Sequence, residues 1–276
     1  MARPFLKWVG GKTQLLPQLT ALLPSEPFGT YFEPFLGGGA LFFYLKPAKA
    51  QINDINKTLI HTYKTIKAQH TQLITDLAEL EAEYLALDHD GRKAYFYDRR
   101  AEFNDIAEPN ARKATLMIFL NKTCFNGMYR ENSSGKFNVP FGDYKNPKIC
   151  DADNITAVHQ LLAHVEPTSV SYTEAVKAAG KDDFVYLDPP YMPLSTTSSF
   201  TSYSLDNFGL KDQEQLRDLF VELDKRGCKV MLSNSNSPVI AELYKGFRQE
   251  KVLAARSINS KGAGRGKIHE LVVLNY

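Results

Sequence analysis

Residues Phe184-Val185-Tyr186-Leu187 form a short apolar run that passes straight into Asp188-Pro189-Pro190. Such a run reads as a buried strand. Two consecutive prolines cannot continue a ladder, so the chain must leave the sheet at Asp188. Further strand signals lie at 30–34, 50–53, 169–172, 229–232 and 271–274. Helical spacing of apolar residues is read at 57–69, 73–87, 111–120 and 212–225. Alternating strands and helices predict an α/β fold with an open, mostly parallel sheet. Ligands of such sheets bind outside the carboxyl ends of the strands, where Asp188 falls.

The 276 residues suffice for one large domain, or one domain with a sizeable insertion. The stretch 56–164 is mainly helical and interrupts the alternation. It is read as an insert, with 1–55 and 165–276 forming the sheet domain. Within the insert, 123–148 is rich in Asn, Gly, Ser, Pro and aromatics, and reads as loops or a hairpin around Ser133-Ser134-Gly135. A hydrophobic fraction of 43% and a charged fraction of 23% disfavour disorder, collagen and coiled coil. The apolar stretch 116–120 is far short of the ~18 residues a membrane span needs. The first residues, MARPFLKWVGGK, lack the apolar region of a secretory signal. Three cysteines without a CxxC suggest neither a disulfide framework nor a zinc cluster. A reducing, cytoplasmic setting is expected, with no membrane partner.

Net charge is only +2, but the charge is unevenly spread. Between 76 and 108 there are ten acids against four bases; between 110 and 150, seven bases against two acids; between 245 and 269, seven bases against one acid. Two basic surfaces suited to a polyanion and one solvated acidic face are expected.

Three motifs carry chemistry. Glu33-Pro34-Phe35-Leu36-Gly37-Gly38-Gly39 places a glycine turn after a strand, where backbone can approach a ligand closely. A GxGxxG dinucleotide fingerprint would need glycine at 42, which is Phe42, so the nicotinamide reading weakens. Asp54 ends the next strand and either accepts hydrogen bonds from ribose hydroxyls or caps the helix that follows. Gly10-Gly11-Lys12-Thr13 mimics a phosphate loop, but position 6 is Leu6, and the spacing fails. Lys12 is then a lone cation beside some other anion, such as a carboxylate. Asp188-Pro189-Pro190-Tyr191 offers an acceptor and an aromatic face side by side. A carboxylate with an adjacent carbonyl can draw the weakly nucleophilic amino group of a base toward an attacking geometry. The ring can hold the planar base by stacking.

With these motifs in this order, the chain resembles Dam-type DNA adenine-N6 methyltransferases of the D12 class over essentially its whole length. FLKWVGGK (5–12) resembles the family's N-terminal cofactor motif, EPFLGGG (33–39) its glycine loop, NDIN (53–56) its ribose-binding acid, and DPPY (188–191) its catalytic tetrapeptide. NKTCFNGMYRENSSGKFNVPFGDYKNP (121–147) resembles its DNA-reading hairpin, and 256–276 its C-terminal strand pair. The resemblance implies a Rossmann-like methyltransferase sheet with an inserted helical and β-hairpin DNA-recognition domain. It implies S-adenosyl-L-methionine as methyl donor and double-stranded DNA as partner. Trp8, Lys12, Glu33, Pro34, Phe35, Gly37, Gly39, Asp54 and Asp188 fall on cofactor-binding positions. Asp188, Pro189, Pro190 and Tyr191 fall on catalytic positions, Tyr191 as the stacking face. Lys7, Phe125, Asn126, Met128, Arg130 and Pro140 fall on DNA-contacting positions. Members with this hairpin pattern read GATC, with Phe125 as the aromatic wedge and Met128 and Arg130 as base readers.

The hairpin also makes physical sense by itself. An amine inside a duplex cannot reach a cofactor pocket, and methyltransferases extrude the base. Phe125 can fill the gap left behind, basic neighbours can anchor phosphates, and an arginine in the major groove pairs bidentately with guanine. No metal is expected, because a sulfonium is already an activated electrophile. A cognate restriction endonuclease acting on the same site is a possible partner. Two rival readings are a catalytically silent DNA-binding regulator, against which an intact DPPY and Asp54 argue, and an RNA adenine methyltransferase, from which the hairpin separates this chain.

Overall fold

The computed structural model describes residues 1–191, 208–255 and 267–276. Six strands form one sheet: β1 (Tyr31–Glu33), β2 (Ala50–Ile52), β3 (Phe184–Leu187), β4 (Lys229–Ser235), β5 (Arg248–Ala255) and β6 (Lys267–Leu274). Their order is β2-β1-β3-β4-β6-β5. The first four run parallel, while β6 pairs antiparallel with both β4 and β5. The chain goes outward from β1 to β2, then β3 and β4 build away on the other side. The strand order therefore reverses between β1 and β3, and the crevice of an open sheet opens at that point.

The helices among the described residues are α1 (Leu16–Thr20), α2 (Ala40–Leu45), α3 (Lys57–Ala86), α4 (His89–Asp105), α5 (Ala111–Thr123), α6 (Ala152–Leu162), α7 (Tyr172–Ala175), α8 (Leu210–Lys225) and α9 (Pro238–Leu243). Side chains alternate across the sheet with the two-residue strand period. Phe184 and Tyr186 of β3 join Tyr31, Met231, Val272 and Leu274 in an apolar core that continues into α3, α5 and α6. Val185 and Leu187 join Phe32, Val230, Leu232 and Val273 against Leu216, Phe220 and Leu223 of α8. All four residues of β3 are buried, as its apolar run requires. No helix among the described residues is long and apolar enough to cross a membrane.

Several local expectations are corrected. The strand expected at 169–172 is absent: Asn53 and Thr168 form an isolated bridge, and α7 follows at once. The Asn53 side chain takes both backbone groups of Val170 that a ladder would use, and the Ser171 hydroxyl caps α7. The helices expected at 57–69 and 73–87 are one continuous element, α3, bent at Gln69, whose φ of −139° is not helical. Its cap is Asn56, which accepts from the Leu59 amide, so Asp54 is not the cap. The C-terminal strand pair begins at Arg248, before the 256–276 segment; residues 256–266, with three of the expected bases, lie outside the described residues. Helix α4 escapes sequence periodicity because only Phe96 and Phe103 of its residues are buried.

Candidate active site

The exit of β1 builds one wall of the crevice. Gly37 and Gly39 have φ of +50° and +67°, the left-handed region where a Cβ is strained. A Cβ on Gly37 would also lie 2.7 Å from Cδ1 of Trp8, so this loop and the Trp8 indole pack without room for a side chain. Behind them, the Gly37 amide donates to Asp54 Oδ2 at 2.8 Å and the Asn56 amide to Oδ1 at 2.9 Å. Each carboxylate oxygen thus keeps acceptor capacity toward the crevice. Burial raises the Asp54 pKa, opposed by these two amides. The buried Asn53 side chain bonds Pro34 and Val170 carbonyls and fixes the loop's exit. Phe35 turns to the other sheet face, stacked on Tyr172 at 5.2 Å.

Glu33 lies beneath the crevice, only 2% exposed, and accepts the Tyr31 hydroxyl at 2.8 Å. Burial, reinforced by Asp188, pushes its carboxyl up to about 8 from 4.5. The protein therefore holds Glu33 protonated where an unfolded chain would ionise it. That contribution to stability is fully present below pH 4.5 and is lost as pH rises toward 8. At about 1.4 kcal/mol per unit it amounts to a few kcal/mol. Glu33→Gln keeps the neutral shape, so its unfolding midpoint should change less than that of wild type between pH 5 and 8, as thermal melts would register. Equal pH dependence in both proteins would refute a protonated Glu33.

The exit of β3 builds the facing wall. The ammonium of Lys12, 4% exposed, lies 2.8 Å from Asp188 Oδ1 and donates to the Gly10 carbonyl at 2.6 Å. Oδ1 is buried with that ammonium as its partner. Burial raises the Asp188 pKa and the Lys12 cation opposes the rise. The same ammonium stands 4.7 Å from the centre of the Tyr191 ring, and the Tyr191 hydroxyl donates to Glu270 Oε2 on β6 at 2.7 Å. Pro190 is held from α8, where the Gln213 side chain donates to its carbonyl at 3.0 Å and is braced by Asn234. Lys12, Asp188, Tyr191, Gly37 and Asp54, far apart in sequence, all line the two strand exits at the switch point.

The N-terminal segment joins this crevice to the hairpin. The Asn121 side chain accepts from the Lys7 amide and donates to the Lys7 and Gly127 carbonyls, and Gly127, at φ +63°, leaves space for the Lys7 side chain. Trp8 stacks on Tyr129 at 5.1 Å with an interplanar angle of 16°. One indole therefore touches both the glycine loop and the hairpin. The hairpin closes through a Glu131–Phe137 bridge and a turn at 132–135, where the Gly135 amide meets the Asn132 carbonyl. Arg130 donates to Asn138 Oδ1 at 2.6 Å across it. Phe125 is 49% exposed, its amide bonded to the Pro140 carbonyl; Asn126 beside it has φ +57° and is exposed. Met128 is half-buried. Phe125, Asn126, Met128, Arg130 and Pro140 thus occupy one hairpin, anchored on Lys7. Sequence reasoning missed Glu270, Gln213 and Asn121. The signal for Glu270 was a carboxylate entering the otherwise apolar run Leu271–Leu274.

The parallel strands, the switch point and the glycine-lined exit of β1 define a Rossmann-like methyltransferase fold. A family profile of D12 class N6 adenine-specific DNA methyltransferases matches residues 8–258, and the chain belongs to that family. It is similar to the Type II methyltransferase M1.LlaDCHI of Lactococcus lactis subsp. cremoris, 46% identical over 99% of this chain and 95% of the relative. It is also similar to the Type II methyltransferase M.MjaIII of Methanocaldococcus jannaschii, 45% identical over 99% of both chains. A DNA adenine methylase of Vibrio cholerae is 35% identical over 99% of this chain and 95% of its own. The protein is an adenine-specific DNA methyltransferase, and its family implies S-adenosylmethionine as methyl donor. The crevice fits such a donor: a cradle that a Cβ would fill, a carboxylate with spare acceptor capacity at Asp54, and a buried cation beside an anion at Lys12 and Asp188.

Proposed function

We propose that this enzyme methylates adenine N6 in duplex DNA within GATC, after turning the target base out of the helix into the pocket formed by 188–191. The observation that carries the reading is the joint placement of Asp188, Tyr191 and Lys12 opposite the glycine loop. Trp8, Lys12, Asp54 and the 33–39 loop would hold S-adenosylmethionine. When bound, that donor supplies a methyl group on a sulfonium, an electrophile needing no further activation. Tyr191 stacks the extruded adenine. The Asp188 carboxylate, held at Oδ1 by Lys12 and still partly exposed, accepts an N–H of the amine and frees the nitrogen lone pair to attack. Lys12 counters the burial that would otherwise protonate Asp188. After attack the surplus proton leaves to water.

Extrusion costs a few kcal/mol of unstacking. Phe125, exposed at the base of the hairpin, fills the gap, with Asn126 meeting the orphaned partner base. Met128, Arg130 and Pro140 face base edges, and Lys7 a base or phosphate. On this reading 56–164 is the target-recognition insert, and 1–55 with 165–276 the catalytic domain. The names of the two Type II relatives support a further element: a cognate restriction endonuclease cutting the same site, with both proteins in the cytoplasm. Transfer of tritiated methyl to GATC duplexes, their single-position variants and matched RNA tests the reading. Label in the GATC duplex above all others supports it; equal label in every duplex, or label in RNA alone, refutes it. The mechanism also requires no metal, so transfer should persist in EDTA.

A further inference from the structure

Glu270 reaches the crevice from β6 yet touches no reacting group. It stands opposite Ser235 of β4 and Val252 of β5, at the crevice end of a strand whose next four residues are buried. A carboxylate in such a place is costly unless hydrogen-bonded. Its partner is the Tyr191 hydroxyl, at 2.7 Å, from a segment 79 residues away. A phenol donating to a carboxylate makes a charge-assisted bond, stronger and more directional than one to water. The tyrosine side is fixed as well. Pro189 and Pro190 stiffen the chain before it, Gln213 holds the Pro190 carbonyl, and the Lys12 ammonium faces the ring at 4.7 Å. Burial and the two nearby carboxylates, Asp188 and Glu270, raise the Tyr191 pKa, so the hydroxyl keeps its proton and remains a donor. What the backbone and Lys12 leave open is rotation of the ring about its own side-chain bonds. The bond to Glu270 closes that freedom, with the Asp188 carboxylate close to the same hydroxyl.

We infer that Glu270 is a positioning residue for methyl transfer, acting through the Tyr191 hydroxyl to fix the plane of the ring on which the target base stacks. The inference rests on the stacking role proposed for Tyr191. A base held on a loosely oriented ring presents its amine at varying angles, and a misplacement near 1 Å can cost about a hundredfold in rate. The loss should fall on the chemical step rather than on binding of the donor or the duplex.

The test measures single-turnover transfer at saturating donor and GATC duplex, with both affinities titrated separately and thermal melts recorded. Glu270→Ala and Tyr191→Phe should each slow transfer about tenfold, with both affinities within about twofold of wild type. Glu270→Gln, which keeps an acceptor oxygen, should recover to within about threefold of wild type. The double variant Tyr191→Phe with Glu270→Ala should be no slower than Tyr191→Phe alone, because the hydroxyl's bond to Glu270 is already gone in it. Wild-type turnover in Glu270→Ala or in Tyr191→Phe overturns the inference, and the second remains decisive should the first fail to fold. Multiplying losses in the double variant, or Glu270→Gln as slow as Glu270→Ala, overturn it too, since Glu270 would then act by charge or by another route. Tyr191→Ala separates the two levels. If it turns over at the wild-type rate, the stacking role itself fails. If it is slow while Glu270→Ala is not, the stacking role stands and only the positioning role of Glu270 is lost.

Discussion

Asp188→Ala should lower single-turnover methyl transfer by at least about a thousandfold while the protein still folds and still binds DNA. Removing a group that acts only in the transition state costs about a hundred- to a thousandfold for one preorganised donor or acceptor. Here the substitution also strands the Lys12 ammonium, which loses its 2.8 Å partner in a site where it is 4% exposed. The fold should survive, because Asp188 lies just past β3, and the sheet register ends at Leu187 paired with Leu232. Asp188→Asn is the informative companion. It keeps an acceptor oxygen but gives up the charge that faces Lys12, so it should fall between wild type and alanine. A tritiated-methyl assay beside a thermal melt distinguishes chemistry from unfolding. A folded Asp188→Ala enzyme working near the wild-type rate would remove Asp188 from the mechanism.

The second large effect concerns sequence choice. Arg130→Ala should relax discrimination at one G·C pair of the site by roughly ten- to a hundredfold, the equivalent of ~1–3 kcal/mol for a bidentate arginine–guanine contact. Arg130 is held across the hairpin by Asn138, through Nε at 2.6 Å and Nη2 at 3.3 Å, so the guanidinium is oriented before DNA arrives. Lys136, exposed beside the 132–135 turn, is the control. Lys136→Ala should weaken every sequence alike and reduce the salt dependence by about one unit of slope. Methylation of GATC duplexes and single-position variants at fixed salt separates the two outcomes. The same uniform loss from both substitutions would leave Arg130 as a duplex anchor and deprive the GATC reading of its main support.

What could be read in the sequence was what chemistry writes locally. The Phe184–Leu187 strand and its proline exit needed only the inability of proline to join a ladder. The glycine turn at 37–39 and Asp54 were legible because both answer to backbone geometry and carboxylate chemistry. That Asp54 does not cap the following helix was not legible, since it turned on whether Asn56 took the cap. Features made by distant partners left little trace. Glu270 was one more acid until the antiparallel β6 carried it to Tyr191. Asn121 gained meaning only when the N-terminal segment lay against the hairpin. The failed strand at 169–172 has the same origin, because Asn53, over a hundred residues earlier, takes the hydrogen bonds a strand would have used. The bend at Gln69 likewise has no proline or glycine to announce it.

The function proposed for this enzyme puts the methyl group on one atom in one sequence. The direct measurement is to incubate the purified protein and S-adenosylmethionine with unmethylated plasmid DNA, then sequence both strands with single-base resolution of modified bases. N6-methyladenine is expected at the adenine of GATC on both strands, with background elsewhere. Methyl groups on cytosine, on adenines of an unrelated sequence, or spread over adenines without regard to sequence would contradict it.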